Sequence, residues 1–159
     1  MNDPRFFSFW LALVTILALS SSLLYAHFDH REPRQSYRQS VFALIALNFG
    51  PVAAMAKGDI EWDDLKLAAY AEELDQVANL KLTNGFTADS REGKTRARPE
   101  IWENLDDFEV KLTKLRSATK DLKIAAKSSD KDQIIAAIVA TGNSCKSCHD
   151  KYKTKDYIY

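Results

Sequence analysis

The stretch IIAAIVATGNSCKSCHDKY, residues 134–152, sets the fold class of this 159-residue chain. Its first half repeats apolar side chains at the spacing of an amphipathic helix, and its second half carries both cysteines of the protein followed by a histidine. Ser128-Ser129-Asp130 precedes the stretch as a short break with capping residues. We therefore predict a helix whose inward face bears Ile134, Ile135, Ile138, Cys145, Cys148, His149 and Tyr152.

The run Cys145-Lys146-Ser147-Cys148-His149 has the C-x-x-C-H spacing of covalent haem attachment. On one turn of helix, two thiols can add to the two vinyl groups of a haem while the next imidazole turns onto the iron. The motif therefore predicts one haem c per chain. Cys145 and Cys148 would be its thioether links, and His149 would be the proximal ligand of the iron.

Two other interpretations of these residues are weaker. A zinc site needs about four ligands, and besides His149 the chain has only His27 and His30, which are far away in sequence. A redox-active C-x-x-C pair belongs to the strand-to-helix junction of a βαβ unit, and no segment of this sequence has a strand pattern.

The composition predicts a single folded domain without a nucleic-acid function. Hydrophobic residues make up 46% of the chain, which is enough to bury a core. The 22 basic and 22 acidic residues balance and are mixed along the sequence, whereas a nucleic-acid groove needs a basic face or stripe. Charge alone indicates no particular partner.

Residues 1–26 are predicted to be an export signal or a membrane anchor, because residues 6–26 carry no charge and are mostly apolar. Phe6 to Leu19 has the length of a signal-peptide core, and small residues follow it. The whole uncharged stretch would also reach across a bilayer, so that a retained anchor stays the alternative to a cleaved signal. Since haem is attached to C-x-x-C-H motifs outside the cytoplasm, we expect the domain in the periplasm, bound to the membrane only if the segment is retained.

The sequence after a charged linker at residues 27–35 is helical throughout. The first predicted helix runs from Ser36, which forms a capping box with Gln39, to Lys57. The second runs from Trp62 to Leu82 and ends before Asn84-Gly85. The third begins at Pro99 and ends at Lys127. Each helix has one apolar face. The face of the first helix contains Phe42, Ile45, Phe49 and Val52, and that of the second contains Leu67, Ala71, Leu74 and Ala78. The face of the third helix contains Ile101, Leu105, Phe108, Leu112, Leu115, Leu122 and Ala126. With the last helix they predict an all-α, antiparallel four-helix bundle over residues 36–155, with a tail at 156–159.

Separated motifs in this sequence resemble cytochrome c′, a class II c-type cytochrome. They are Tyr37-Arg38-Gln39-Ser40, Asn48-Phe49-Gly50, Lys57-Gly58, Ala97-Arg98-Pro99-Glu100-Ile101-Trp102 and Ser144-Cys145-Lys146-Ser147-Cys148-His149-Asp150. They occur in the family's order, with the haem motif at the C-terminal end. The resemblance implies a left-handed four-helix bundle, often a homodimer, whose five-coordinate, high-spin haem binds nitric oxide and carbon monoxide.

The resemblance also implies roles for single residues. Arg38 and Gln39 would meet the haem propionates, and Lys153 would lie beside the proximal imidazole. Phe42 departs from the pattern, because typical members have leucine at this position and low-spin relatives have methionine, whose sulfur binds the iron. Phenylalanine cannot coordinate, and Met55 lies thirteen residues further along the same helix, about 20 Å away.

We therefore expect a haem protein whose open sixth iron position is covered by Phe42 and takes small gases, nitric oxide first. The alternative is an electron-transfer cytochrome with an unknown redox partner, which a retained anchor could attach to a membrane respiratory complex. A peroxidase-like enzyme would need a distal acid–base group, and Phe42, Ile45 and Phe49 offer none, so we do not expect an enzyme.

Overall fold

The structure is a computed structural model that describes residues 32–128 and 130–155. The predicted leader at 1–26, most of the predicted linker and the tail at 156–159 lie outside the described residues. The helices are α1 Pro33–Lys57, α2 Asp64–Ala78, the single turn α3 Glu100–Glu103, α4 Leu105–Ala125 and α5 Lys131–Tyr152. Four of them are long, and the predicted all-α, antiparallel four-helix class is confirmed.

α1 begins earlier than predicted, at Pro33. Proline suits the first turn of a helix, because its missing N–H would have no partner there anyway. The predicted capping box of Ser36 and Gln39 is wrong, since both residues lie inside α1. The helix ends at Lys57 as predicted, and Gly58 follows at φ +79°, a left-handed conformation that favours glycine.

Two neighbouring rows of α1 side chains face the bundle. The first row is buried in the core and contains Val41, Ile45, Asn48, Val52 and Met55. Phe42 and Phe49 form the second row, where they are half-buried and pack against the core. Length and a mean hydropathy of 1.5 would allow α1 to cross a membrane, a test that the core helix of a globular protein also passes.

α2 is shorter than predicted. Asp63 caps its first turn by accepting a hydrogen bond from the Lys66 backbone N–H at 2.9 Å. The helix ends at Ala78 rather than Leu82, because Asn79 turns the chain and its side-chain amide donates to the Asp75 carbonyl at 2.7 Å. The predicted inward face is confirmed, since Leu67, Ala71, Leu74 and Ala78 are all buried.

The predicted third helix is broken in two at Asn104, whose backbone (φ −137°, ψ 47°) is not helical. The break rotates Leu105 out of the apolar stripe, and its side chain is 44% exposed, so its predicted burial is wrong. The other six predicted positions are buried: Ile101, Phe108, Leu112, Leu115, Leu122 and Ala126.

Edge-on aromatic contacts join the interhelix loop to the long helices. The ring of Phe86, in the loop between α2 and α3, lies 4.8 Å from that of Phe108 on α4 and 5.6 Å from that of Trp102 on α3. Phe108 lies 5.5 Å from Tyr152 at the end of α5. Such tilted pairs add to the stability that burial alone provides. The cluster therefore fixes the loop against the C-terminal end of α5, where the C-x-x-C-H motif lies.

Candidate haem site

Cys145, Cys148 and His149 lie on one turn near the C-terminal end of α5. Both cysteines are half-buried and form no disulfide. Lys146 is exposed on the outer side of the same turn, where it forms an ion pair with Asp150 at 2.5 Å. His149 follows Cys148 directly on this turn, and the inward orientation of its side chain stays a prediction.

The thiols do not have the character of a redox-active dithiol. Burial raises the pKa of the Cys148 thiol to about 11, and it also raises the pKa of the Cys145 thiol. Reactive C-x-x-C pairs use a thiolate stabilised at a helix N-terminus, whereas this motif lies in the last turns of a helix. The neutral thiols among apolar neighbours therefore fit attachment to a haem better than thiol–disulfide exchange.

The imidazole is held in the form that binds a metal. Desolvation by neighbouring atoms and the positive charges of Lys153 and Arg96 lower the pKa of His149, although the Asp150 carboxylate opposes this shift. A neutral imidazole at neutral pH is the form that binds a metal. Within residues 32–128 and 130–155 there is no group of three or more His, Cys, Asp or Glu side chains that could hold a metal ion.

α1 presents aromatic side chains toward α5. A Cβ atom added at Gly142, one turn before Cys145, would be 3.6 Å from Cζ of Phe49. Phe42 lies two turns before Phe49, and His149 lies two turns after Gly142. Because the two helices run in opposite directions with the same rise per residue, Phe42 and His149 are at about the same level along the bundle. Half-buried aromatic rings facing two thiols and an imidazole suit a flat, apolar group such as haem.

Arg38 is buried, with 1% of its surface exposed, and its contacts hold α1 to the loop. Its NH1 donates to the carbonyls of Gly85 at 2.8 Å and Ser90 at 2.9 Å, and the guanidinium lies 5.1 Å from the Phe86 ring and 5.4 Å from the Trp102 ring. The predicted propionate contact stays a prediction. The structure adds a role in packing that the sequence did not indicate.

Gln39 and Lys153, the other predicted cofactor contacts, both lie beside the segment before α3. The side-chain amide of Gln39 donates to the Lys94 carbonyl at 3.1 Å. Lys153 caps α5 in an extended conformation (φ −120°, ψ 132°) and pairs with Ala97. The structure therefore brings Lys153 and Arg96 together, although nothing in the sequence singled out Arg96.

A C-x-x-C-H turn at the end of an antiparallel four-helix bundle defines a c-type haem protein of the helical class. The family model described as Cytochrome C′ matches residues 34–153. The chain belongs to the cytochrome c′ family, and its cofactor is covalently bound haem c. The family resemblance and the cofactor predicted from the sequence are thereby confirmed.

Known members cover most of the chain. A cytochrome c′ from Rubrivivax gelatinosus is 39% identical over 119 residues, which are 75% of this chain and 92% of that protein. A solved cytochrome c prime from Shewanella frigidimarina has a TM-score of 0.74 and 39% identity, with coverage of 80% of this chain and 100% of the other. A nitric oxide complex of a variant cytochrome c prime from Alcaligenes xylosoxidans has a TM-score of 0.70 and 33% identity, covering 78% of this chain and 95% of the other.

Proposed function

We propose that this protein is a periplasmic haem protein whose iron keeps its sixth position open for small gases, nitric oxide first, in nitric oxide binding or tolerance. The observation that carries the proposal is the position of Phe42 along the bundle, which is at about the same height as His149 on the facing helix. The phenylalanine side chain cannot coordinate iron. Cys145 and Cys148 would attach the haem, and His149 would bind its iron from one side. The bound haem would supply an iron centre that takes a diatomic gas on the other side.

Methionine ligation of the iron is disfavoured by the position of Met55. Its side chain is 5% exposed and lies in the core, thirteen residues beyond Phe42 on α1. This distance corresponds to about 20 Å along the helix. The half-buried aromatic row of Phe42 and Phe49 offers no hydrogen-bond donor or acid–base group, so that it favours an apolar diatomic over water and does not support peroxidase chemistry.

Absorption and EPR spectra of the ferric and ferrous protein, with and without nitric oxide, test the proposal. We expect a high-spin ferrous haem and a new spectrum on addition of nitric oxide. A low-spin ferrous haem before any gas is added would contradict an open sixth position.

Electron transfer is the second candidate function. The half-buried cysteines near the C-terminal end of α5 support it, because thioether links at that place would hold the edge of the haem near the surface. The redox partner is unknown. A six-coordinate haem that reorganises little and reacts with no gas would favour this candidate over the first.

The chemistry of attachment supports the proposed periplasmic location, since haem is joined to C-x-x-C-H motifs outside the cytoplasm. We propose that residues 1–26 direct export and are cleaved. Intact mass spectrometry of the purified protein tests this. A mass that includes the N-terminal segment, together with recovery in the membrane fraction, would support an inner-membrane anchor instead.

We also propose that the protein forms a homodimer through α1. The helix has no charged residue between Arg38 and Lys57, and its outer side exposes Leu44 (43%) and Leu47 (67%). Adjacent exposed apolar side chains are typical of an association surface. Sedimentation should show a dimer that Leu47→Asp weakens, whereas Ile124→Asp, at a 59% exposed position on α4, should not.

A further inference from the structure

We propose that Arg96 is a positioning residue for the proximal side of the haem, because it closes a short β-like clasp that fixes Lys153 next to His149. The clasp consists of residues 96–98 and residues 152–154. The proposal rests on His149 as the iron ligand, and it concerns the reduction potential of the iron rather than which gas binds.

Backbone and side-chain hydrogen bonds close the clasp. The Thr154 N–H donates to the Arg96 carbonyl at 2.9 Å, and the Arg98 N–H donates to the Tyr152 carbonyl at 3.0 Å. Ala97 and Lys153 are opposite each other as an antiparallel bridge. In addition, the Arg96 guanidinium donates to the Thr154 carbonyl at 2.9 Å. Arg96 therefore holds Thr154 through both its backbone and its side chain.

The clasp fixes the backbone conformation of Lys153. Its backbone N–H still donates to the His149 carbonyl at 3.1 Å, as the last hydrogen bond of the helix, but its φ of −120° and ψ of 132° are extended. The ends of helices fray when nothing holds them. Here the extended pair prevents fraying, so that the half-buried Lys153 side chain stays one helical turn from the imidazole.

The same end of α5 is also held on its other side. The Tyr152 hydroxyl donates to the Asp107 carboxylate at 2.5 Å, and the Lys151 ammonium forms an ion pair with the same carboxylate at 2.9 Å. α4 therefore secures residues 151–152 while the clasp secures residues 152–154. The turn that carries His149 has little freedom to move.

The clasp places two cations beside the turn that carries His149. Lys153 follows that turn directly, with its N–H on the His149 carbonyl, and the Arg96 guanidinium donates to the carbonyl of the next residue, Thr154. Fixed positive charge near the iron opposes the additional charge of the ferric state. We therefore expect the clasp to raise the reduction potential of the haem.

Four variants of the full-length protein test the proposal. Arg96→Gln removes the charge and the guanidinium, and Arg96→Lys restores the charge. Thr154→Pro removes the N–H that donates to the Arg96 carbonyl and keeps Arg96 itself, and Lys153 already has the extended backbone that a following proline requires. Thr154→Ala is the matched control, because it keeps the N–H.

The measurements are the reduction potential and the hydrogen exchange of the Arg98 amide. Arg96→Gln and Thr154→Pro should both lower the potential, Arg96→Lys should restore part of it, and Thr154→Ala should leave it unchanged. The Arg98 amide should exchange about tenfold faster in Thr154→Pro, which is the effect of losing roughly one hydrogen bond from the pair.

An unchanged potential in Thr154→Pro would overturn the positioning role, even if amide exchange became faster, because a shift in Arg96→Gln alone would come from the lost guanidinium charge. If Arg96→Gln does not fold, Thr154→Pro decides alone. Retention of colour on a denaturing gel confirms that each variant carries haem. A low-spin wild-type spectrum would refute the proposed gas-binding function without affecting the shift in potential, so the two proposals fail separately.

Discussion

The ring of Phe49 on α1 lies against Gly142 on α5, and its Cζ is 3.6 Å from the position that a Cβ atom on Gly142 would occupy. This contact sets the register of the two antiparallel helices. Phe42 lies seven residues before Phe49 on α1, and His149 lies seven residues after Gly142 on α5. A change at Phe42 should therefore act on the iron centre, whereas the same change at Phe49 should act two turns away.

Phe42→Met should convert a substantial fraction of the ferrous haem from high-spin to low-spin, because it places a sulfur at the level of the imidazole. Phe49→Met is the matched control and should leave the spectrum high-spin. Absorption spectra of the ferrous proteins distinguish the two. An unchanged spectrum in Phe42→Met would show that this side chain does not lie over the iron.

Phe42→Ala should speed the association of carbon monoxide while the haem stays high-spin, because removing the ring opens the distal side. The loss of stability should be smaller than the about 3–5 kcal/mol of a fully buried ring, since Phe42 is only half-buried. Flash photolysis measures the rate, and chemical unfolding measures the stability. Unchanged kinetics would contradict the role of the ring as a cover.

Replacing Cys145 and Cys148 together with alanine should leave haem that acid–acetone extracts, because no thioether bond remains. The unaltered protein should keep its colour on a denaturing gel. Each thiol is half-buried beside the other, so a single replacement should still leave one covalent link. Extraction of haem from the unaltered protein would contradict covalent attachment.

The helices and their inward faces could be predicted because burial imposes a period on the sequence. Leu67, Ala71, Leu74 and Ala78 follow that period and are buried. Leu105 follows it equally well but is exposed, because Asn104 interrupts the helix just before it. A local break of this kind leaves the periodicity of the sequence unchanged and becomes visible only in the backbone.

The attachment turn was predictable for a different reason, since C-x-x-C-H puts all its chemistry within five consecutive residues. The contacts of Arg38 and Arg96 were not predictable. Arg38 bonds to Gly85 and Ser90, and Arg96 bonds to Thr154, which is 58 residues away. Such contacts depend on the course of the loop between α2 and α3, and its sequence shows only that it is polar and long.

Gly85→Ala should destabilise the protein by about 1–3 kcal/mol, because the new methyl group has no room. It would lie 2.9 Å from Cβ of Arg38 and 3.1 Å from the Arg34 carbonyl. Gly142→Ala is the matched control, since its methyl group would meet only Phe49 at an ordinary contact distance. Alanine also favours a helix over glycine by about 1 kcal/mol, so this control should be neutral or stabilising. Equal effects of the two variants in urea unfolding would contradict the close approach at Gly85.

Asp63 should give α2 a pH-dependent contribution to stability. The Lys66 backbone N–H, which donates to its carboxylate, and then the Lys66 side chain lower the pKa of Asp63. Because its pKa is lower in the folded protein, the stabilisation is complete above the usual aspartate pKa of about 3.9 and is lost as the pH falls through the folded value. The difference in unfolding free energy between the unaltered protein and Asp63→Ala should therefore be constant from neutral pH down to about 3.9 and shrink below it.

The control is Asp63→Asn, which keeps an N-cap oxygen that does not titrate. The difference in unfolding free energy between Asp63→Asn and Asp63→Ala should therefore not change with pH. Urea unfolding of the three proteins between acidic and neutral pH measures both differences, and a gap between the unaltered protein and Asp63→Ala that widens with acidity would contradict the lowered pKa.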